Sequence, residues 1–334
     1  MKIKICIIII FFITLFAFLN RLVVPKYQTD LIEGHMIKEY YNEEKNHEVI
    51  FIGDCEVYAN FSPIELYKNY GITSYIRGTS QQLIWQSYEI LKETLKYEKP
   101  KVVIFNVNSM RYDKSVSEAY NRLTIDNMKW SKEKIDIIND SMMEEETFIS
   151  YVFPIIRYHS RITELTKEDF DYFFKEDNIT HNGFLINKNI KPYTNFPTER
   201  KLPTYKFSDA NFDYLSKMAE LCKENNITFI LIKAPSIYPY WYDEYNNQIK
   251  QFALKNNIDY YNLKENVENI GIDYNTDTYD GGIHLNLTGA TKLSKYFGKI
   301  LSDKYNLTDY RSNKDVNSIY QEKILLYNDS IEKE

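Results

Sequence analysis

Hydrophobic side chains follow three different patterns along this chain. Residues 5–24 are almost unbroken in apolar character, with Thr14 in the middle and Asn20 and Arg21 near the end. Residues 48–109 and 207–301 alternate short apolar runs with stretches of helical period. Residues 110–205 lack that alternation. In the first alternating stretch, residues 49–52 are four apolar positions running into Gly53-Asp54-Cys55, which predicts a buried strand ending at a tight turn. Ser62-Pro63 is a cap followed by a first-turn proline, predicting a helix over 64–69 that Gly71 ends. A strand over 72–76, a helix over 81–97 and a strand over 102–105 follow. Strand, helix, strand, helix, strand in so short a span predicts a parallel sheet with right-handed crossovers.

The second alternating stretch predicts a helix over 212–225, a strand over 227–232, a helix over 240–255, a short strand over 259–261 and a last helix over 287–301. Residues 110–205 read as a large, mostly helical insertion, with helices over 131–139, 144–161 and 166–174. An irregular run with Pro192, Pro197 and Pro203 follows them. That insertion is expected to cap the sheet edge as a lid or substrate-recognition element. The polar, Tyr-containing residues 27–48 read as a stalk and the charged residues 306–334 as a loosely attached tail.

The opening run is about as long as a bilayer-spanning helix requires, if Asn20 and Arg21 lie near the interface. A signal-peptide core is the competing reading, but bulky Phe18 and Leu19 occupy the exit where small residues would permit cleavage. The preferred expectation is an uncleaved signal anchor over 1–26. It makes the chain a single-pass protein of the cell membrane with the rest outside.

Composition narrows the partners. With 44% hydrophobic and 26% charged residues, most of the chain should fold. A net charge of -6 provides no basic field for nucleic acid. Three cysteines without metal-ligand spacing indicate neither a disulfide framework nor a metal site, and no cofactor motif is present. Of the histidines, His35 and His47 are expected to be solvated and His159 and His181 to be ordinary helix and turn residues.

Cys55 alone of the cysteines sits at a turn after a strand. Far away lies Asp280-Gly281-Gly282-Ile283-His284. A thiol early and an acid and imidazole late are the parts of a nucleophile, base and orienter set. Developing charge on an acyl oxygen then needs fixed donors. Candidates are the backbone N–H groups of Cys55 and Gly78 and the side-chain amide of Asn108 or Asn106, each following a predicted strand.

Together, Gly53-Asp54-Cys55, Gly78, an Asn after the third strand, and Asp280 and His284 before the final helix resemble the four sequence blocks of SGNH/GDSL hydrolases. The resemblance covers residues 48–109 and 207–301 and implies an α/β, flavodoxin-like three-layer sandwich over 49–305 around a central parallel sheet. It implies Cys55 as nucleophile in place of the family's Ser, His284 as base, Asp280 as orienter, and Gly78 and Asn108 as oxyanion residues, with Asn106 where the block Gly would stand. The spacing of Asp280 and His284, four rather than three, departs from the family, as does Asn106-Val107-Asn108-Ser109. The N-terminal anchor and the segment 284–290 look most like the membrane-anchored branch that includes the D-alanyl transfer and polysaccharide O-acetylation proteins. The implied activity is an esterase or acyltransferase acting on acylated cell-envelope glycans or polymers. The alternative is a weakly active or inactive glycan-binding accessory of a membrane-bound acyltransferase.

Overall fold

A computed structural model describes residues 2–25, 36–171, 178–194, 198, 200–237 and 241–333. His35, Pro197, residues 27–35 of the expected stalk and the end of the expected helix 166–174 lie outside the described residues. Five strands form one parallel sheet: β1 (Val49–Gly53), β2 (Ser74–Gly78), β3 (Val102–Asn106), β4 (Thr228–Lys233) and β5 (Asp259–Asn262), in the order β2-β1-β3-β4-β5. This is the flavodoxin-like doubly wound order, in which the chain reverses direction of travel between β1 and β3. Ligands bind such sheets at that crevice, outside the carboxyl ends of the strands.

Side-chain alternation along each strand sends one set of residues to each face. Val49, Phe51, Val102, Ile104, Ile230 and Ile232 face one core with Val57, Leu66, Leu293 and Phe297. Ile50, Ile52, Val103, Phe105, Phe229 and Leu231 face the other with Ile84, Leu91, Leu215 and Ile249. The elements outside the sheet are, in chain order, α1 (Lys2–Leu22), α2 (Met36–Glu39), α3 (Cys55–Asn60), α4 (Pro63–Tyr70), α5 (Ile84–Tyr97), α6 (Glu118–Ile125), α7 (Lys132–Ser141), α8 (Phe148–Val152), α9 (Ile155–Tyr158), α10 (Lys167–Asp171), α11 (Asp209–Glu224), α12 (Asp243–Asn256), α13 (Val267–Ile270), α14 (Leu287–Lys304) and α15 (Lys314–Lys333). The first core therefore receives α3, α4 and α14, and the second α5, α11 and α12. Capping signals in the sequence are realised: Ser62 Oγ accepts from Glu65 N, Gly71 closes α4 at φ 69°, and Asn286 caps α14.

Four expectations change. The expected helix 144–161 is divided into α8 and α9 at Pro154, which cannot continue an i to i−4 ladder. Residues 36–48 are no free stalk: Met36, Ile37 and Tyr40 are buried, and so is His47, whose Nδ1 lies 3.0 Å from Glu98 Oε2. Burying a paired imidazole beside a carboxylate costs less than a solvated reading of its polarity suggests. Residues 314–333 are no loose tail either. The helix α15 packs against α4, buries Tyr320 and Tyr327, and stacks Tyr320 on Tyr67 at 3.9 Å between centroids. Finally, the irregular end of the insertion enters the core, with Phe184 fully buried.

Candidate active site

Cys55 is the first residue of α3, directly after β1 stops at Gly53. Two glycines make that stop possible. Gly53 has φ 157°, and a Cβ there would come within 3.0 Å of the Asn106 Cβ. A Cβ on Gly78 would lie 2.5 Å from Val57 Cγ2 and 2.8 Å from the Gly53 carbonyl oxygen. The end of β2 therefore approaches the turn too closely for any side chain. Asp54 caps α3 by accepting from Glu56 N at 3.2 Å, which orients the first turn and leaves Cys55 partly exposed.

The late loop is shaped by Gly281 and Gly282, at φ 85° and 99°. A Cβ on Gly282 would meet Ile237 Cγ1 at 2.3 Å. This left-handed pair folds Asp280 back over the loop. Its Oδ1 accepts from Ile283 N at 3.2 Å and His284 N at 2.8 Å, and its Oδ2 lies 2.6 Å from His284 Nδ1. The extra residue between acid and imidazole is thus absorbed by the turn. Nδ1–H donating to Asp280 leaves Nε2 unprotonated in the neutral ring. Tyr279 stacks on the imidazole, centroids 5.7 Å apart and planes at 11°.

The thiol of Cys55 and the imidazole of His284 adjoin: each perturbs the other's ionisation. No well-aligned hydrogen bond joins them, since Nε2 is buried without a partner of good geometry among the described residues. Burial pushes the thiol up, against the pull of His284, and neighbouring Asp54 pushes the same way. Burial lowers the basicity of His284, but the sulfur beside it and the Asp280 hydrogen bond outweigh this and hold it above an ordinary imidazole.

Of the expected oxyanion residues, Gly78 lies beside the Cys55 turn, in register with Gly53. Asn108 donates to Asp54 Oδ2 at 2.6 Å. Asn106 differs from the expectation. It is fully buried, its Nδ2 donates to Asp54 Oδ1 at 3.0 Å and Glu56 Oε2 at 2.9 Å, and its Oδ1 accepts from Ala234 N at 3.1 Å. With its amide committed in this way, Asn106 braces the turn and has no N–H left for an acyl oxygen.

Several supporting residues escape a reading of the chain alone. Asn60, at the far end of α3, accepts from Leu285 N at 2.8 Å and so links the helix of Cys55 to the loop of His284. The end of the insertion runs along the same loop: Lys191 N donates to Thr278 O at 2.9 Å, Gly281 N to Lys191 O at 3.1 Å, and Leu287 N to Asn187 O at 2.7 Å. The one available signal for a further partner was a charged residue, Lys233, closing an apolar strand. Its Nζ lies 2.7 and 2.8 Å from the two oxygens of Glu56. Among the described residues, no His, Cys, Asp and Glu group could hold a metal ion. His159 Nδ1 lies 3.1 Å from the Ile156 carbonyl oxygen, and His181 sits in a turn with its ring edge-on to Tyr327.

Fold and site together describe a doubly wound α/β protein that brings Cys55, just after β1, beside the loop carrying Asp280 and His284. No family model and no curated protein matches the chain. Among solved structures, it is similar to a protein described as lipolytic, of the G-D-S-L family, from Desulfitobacterium hafniense, at 14% identity and TM-score 0.38, over 77% of this chain and 100% of that one. It is also similar to a protein described as an acylhydrolase from Bacteroides fragilis, at 14% identity and TM-score 0.41, over 84% and 100%. A third is a GDSL-like lipase from Bacteroides thetaiotaomicron, at 14% identity and TM-score 0.39, over 81% and 97%.

Proposed function

We propose that the protein is an SGNH/GDSL-like esterase or acyltransferase with Cys55 as nucleophile, His284 as base and Asp280 as orienter. The observation that carries this is the Asp280 to His284 Nδ1 contact of 2.6 Å, on a loop that sets the imidazole against the Cys55 thiol. In the reaction, the thiol proton passes to Nε2 and Sγ attacks the ester carbonyl carbon. The oxyanion is met by the N–H groups of Cys55 and Gly78, joined by Asn108 if its amide exchanges Asp54 for the acyl oxygen. Collapse breaks the C–O bond, and the leaving alkoxide takes the proton from Nε2. Water or an acceptor hydroxyl then attacks the thioester, giving its proton to Nε2, and the sulfur departs and recovers it.

We place this chemistry outside the cell, on acylated envelope glycans or polymers, with the chain tethered by α1. That helix has 21 residues, almost all apolar, and its large side chains from Ile3 to Phe18 are exposed. Its length of about 31 Å matches a bilayer core. Its end is held by the folded domain: Phe16 packs edge-on to Phe153 at 5.5 Å, Asn20 accepts from Ile155 N at 2.9 Å, and Arg161 donates to Val23 O at 2.8 Å. Such contacts favour a retained anchor over a cleaved leader.

A second reading, a non-catalytic accessory of a membrane-bound acyltransferase, is favoured by the upshifted thiol and by the commitment of Asn108 to Asp54. An activated ester separates the two. The catalytic reading expects a burst of one leaving group per chain and an acyl adduct on Cys55 by intact mass. Both are abolished in Cys55→Ala, and the burst slows about 100-fold or more in His284→Ala. A wild-type chain giving neither burst nor adduct fits only the accessory.

A further inference from the structure

Behind Cys55 lies a buried charge pair that the proposed reaction does not use. Glu56 follows the nucleophile in the chain, and Lys233 ends β4, 177 residues later. Both are almost fully buried, Lys233 at 1% exposure and Glu56 at 4%. Lys233 Nζ reaches both Glu56 oxygens, at 2.7 and 2.8 Å, and the Ala234 carbonyl oxygen at 2.8 Å. Glu56 Oε2 also accepts from Asn106 Nδ2, and the same amide nitrogen donates to Asp54. With Asn108 donating to the other Asp54 oxygen, the ammonium, two carboxylates and two amides therefore form a connected cluster around the turn that presents the sulfur.

A fully buried ion pair is a poor means of gaining stability, because desolvation consumes most of the attraction. Its position is more informative. Two carboxylates flank Cys55 in sequence, and each disfavours a thiolate. Lys233 is the cation bonded to one of them. Among the described residues, the other charged or titratable groups facing this turn are His284 and Asp280 from the late loop, Arg111 beyond Asp54, and Tyr260 and Tyr274 towards Glu56.

We infer that Lys233 is a positioning residue for Cys55: bonded to Glu56 behind the turn, it neutralises one of the two carboxylates that flank the sulfur and holds α3 so that the thiolate can form. This rests on Cys55 being the reactive group of the proposed function. Removing the ammonium leaves Glu56 uncompensated beside the sulfur. Removing the carboxylate leaves a cation there. Removing both leaves a nearly neutral surround.

The test is the pH profile of Cys55 alkylation by iodoacetamide in the full-length chain in detergent. Peptide mapping separates Cys55 from Cys6 and Cys222. Lys233→Met should raise the midpoint by about one pH unit, so that labelling at pH 7 falls about ten-fold. Glu56→Gln should lower the midpoint, and the Lys233→Met/Glu56→Gln double variant should label within about three-fold of wild type. A purely structural role would lower melting temperature in all three variants without moving the midpoint in opposite directions. A folded Lys233→Met with the wild-type profile overturns the inference. If Lys233→Met does not fold, a Glu56→Gln profile coincident with wild type overturns it equally. A profile that shifts as expected in a chain giving no ester burst supports the inference and refutes turnover. A wild-type thiol unreactive at every pH overturns both.

Discussion

Asp280 occupies both edges of its carboxylate, one on two backbone N–H groups and one on His284 Nδ1. Such a group sets the tautomer of the ring as well as its position. Asp280→Asn presents an amide where an acceptor is needed, and the ring is then free to adopt the tautomer with its proton on Nε2. If the proposed function holds, the burst rate should fall by about 100- to 10,000-fold with little change in melting temperature. Because burial holds the Cys55 thiol above its ordinary value, wild-type labelling should still be climbing above pH 9. His181 offers a separate, structural titration. Burial lowers it to about 4, well below its value in an unfolded chain. The folded protein thus binds fewer protons than the unfolded one between these values. The stabilisation is complete above about pH 6.5 and is lost as pH falls through about 4. His181→Phe keeps a ring against Tyr327 and should remove roughly 1–3 kcal/mol of acid sensitivity, read from urea midpoints at pH 7 and pH 4.

At the scale of elements, the end of the insertion is a strap over the site. Asn182 O accepts from Ile76 N at 3.0 Å on β2, Leu185 N donates to Tyr58 O at 3.0 Å on α3, and Lys191 pairs with the His284 loop. One run of chain thereby contacts the elements carrying Gly78, Cys55 and His284. Gly183 is the residue that lets it do so. It stands at φ 85°, and a Cβ would lie 2.3 Å from the Ile76 carbonyl oxygen. Gly183→Ala should cost about 2–4 kcal/mol in urea unfolding. If the proposed function holds, the burst rate should fall in the fraction still folded. Proline and glycine signals in residues 179–204 mark an irregular segment. They do not say which strand edge or loop it will follow, since its hydrogen bonds are made to residues about 100 positions away in either direction.

For the whole molecule, α15 completes the face of the sheet that carries α4 and α14. Tyr320 and Tyr327 are the two buried residues of a helix whose other side chains are half-buried or exposed, and Tyr320 stacks on Tyr67. Tyr320→Ala should cost about 3–5 kcal/mol, measured by denaturant unfolding, a loss no loosely attached tail would produce. The strands, their buried alternation, the capped helices and the Gly53-Asp54-Cys55 turn were determined by the sequence itself. Each depends on periodicity or on residues within a few positions of one another. Tertiary structure alone decided the β2-β1-β3-β4-β5 order, the docking of residues 36–48 and α15 onto the domain, the commitment of Asn106 to bracing and the meeting of Lys233 with Glu56. Those outcomes depend on which groups lose water together. Two polar side chains 177 residues apart carry no local mark of the partner that makes their burial tolerable.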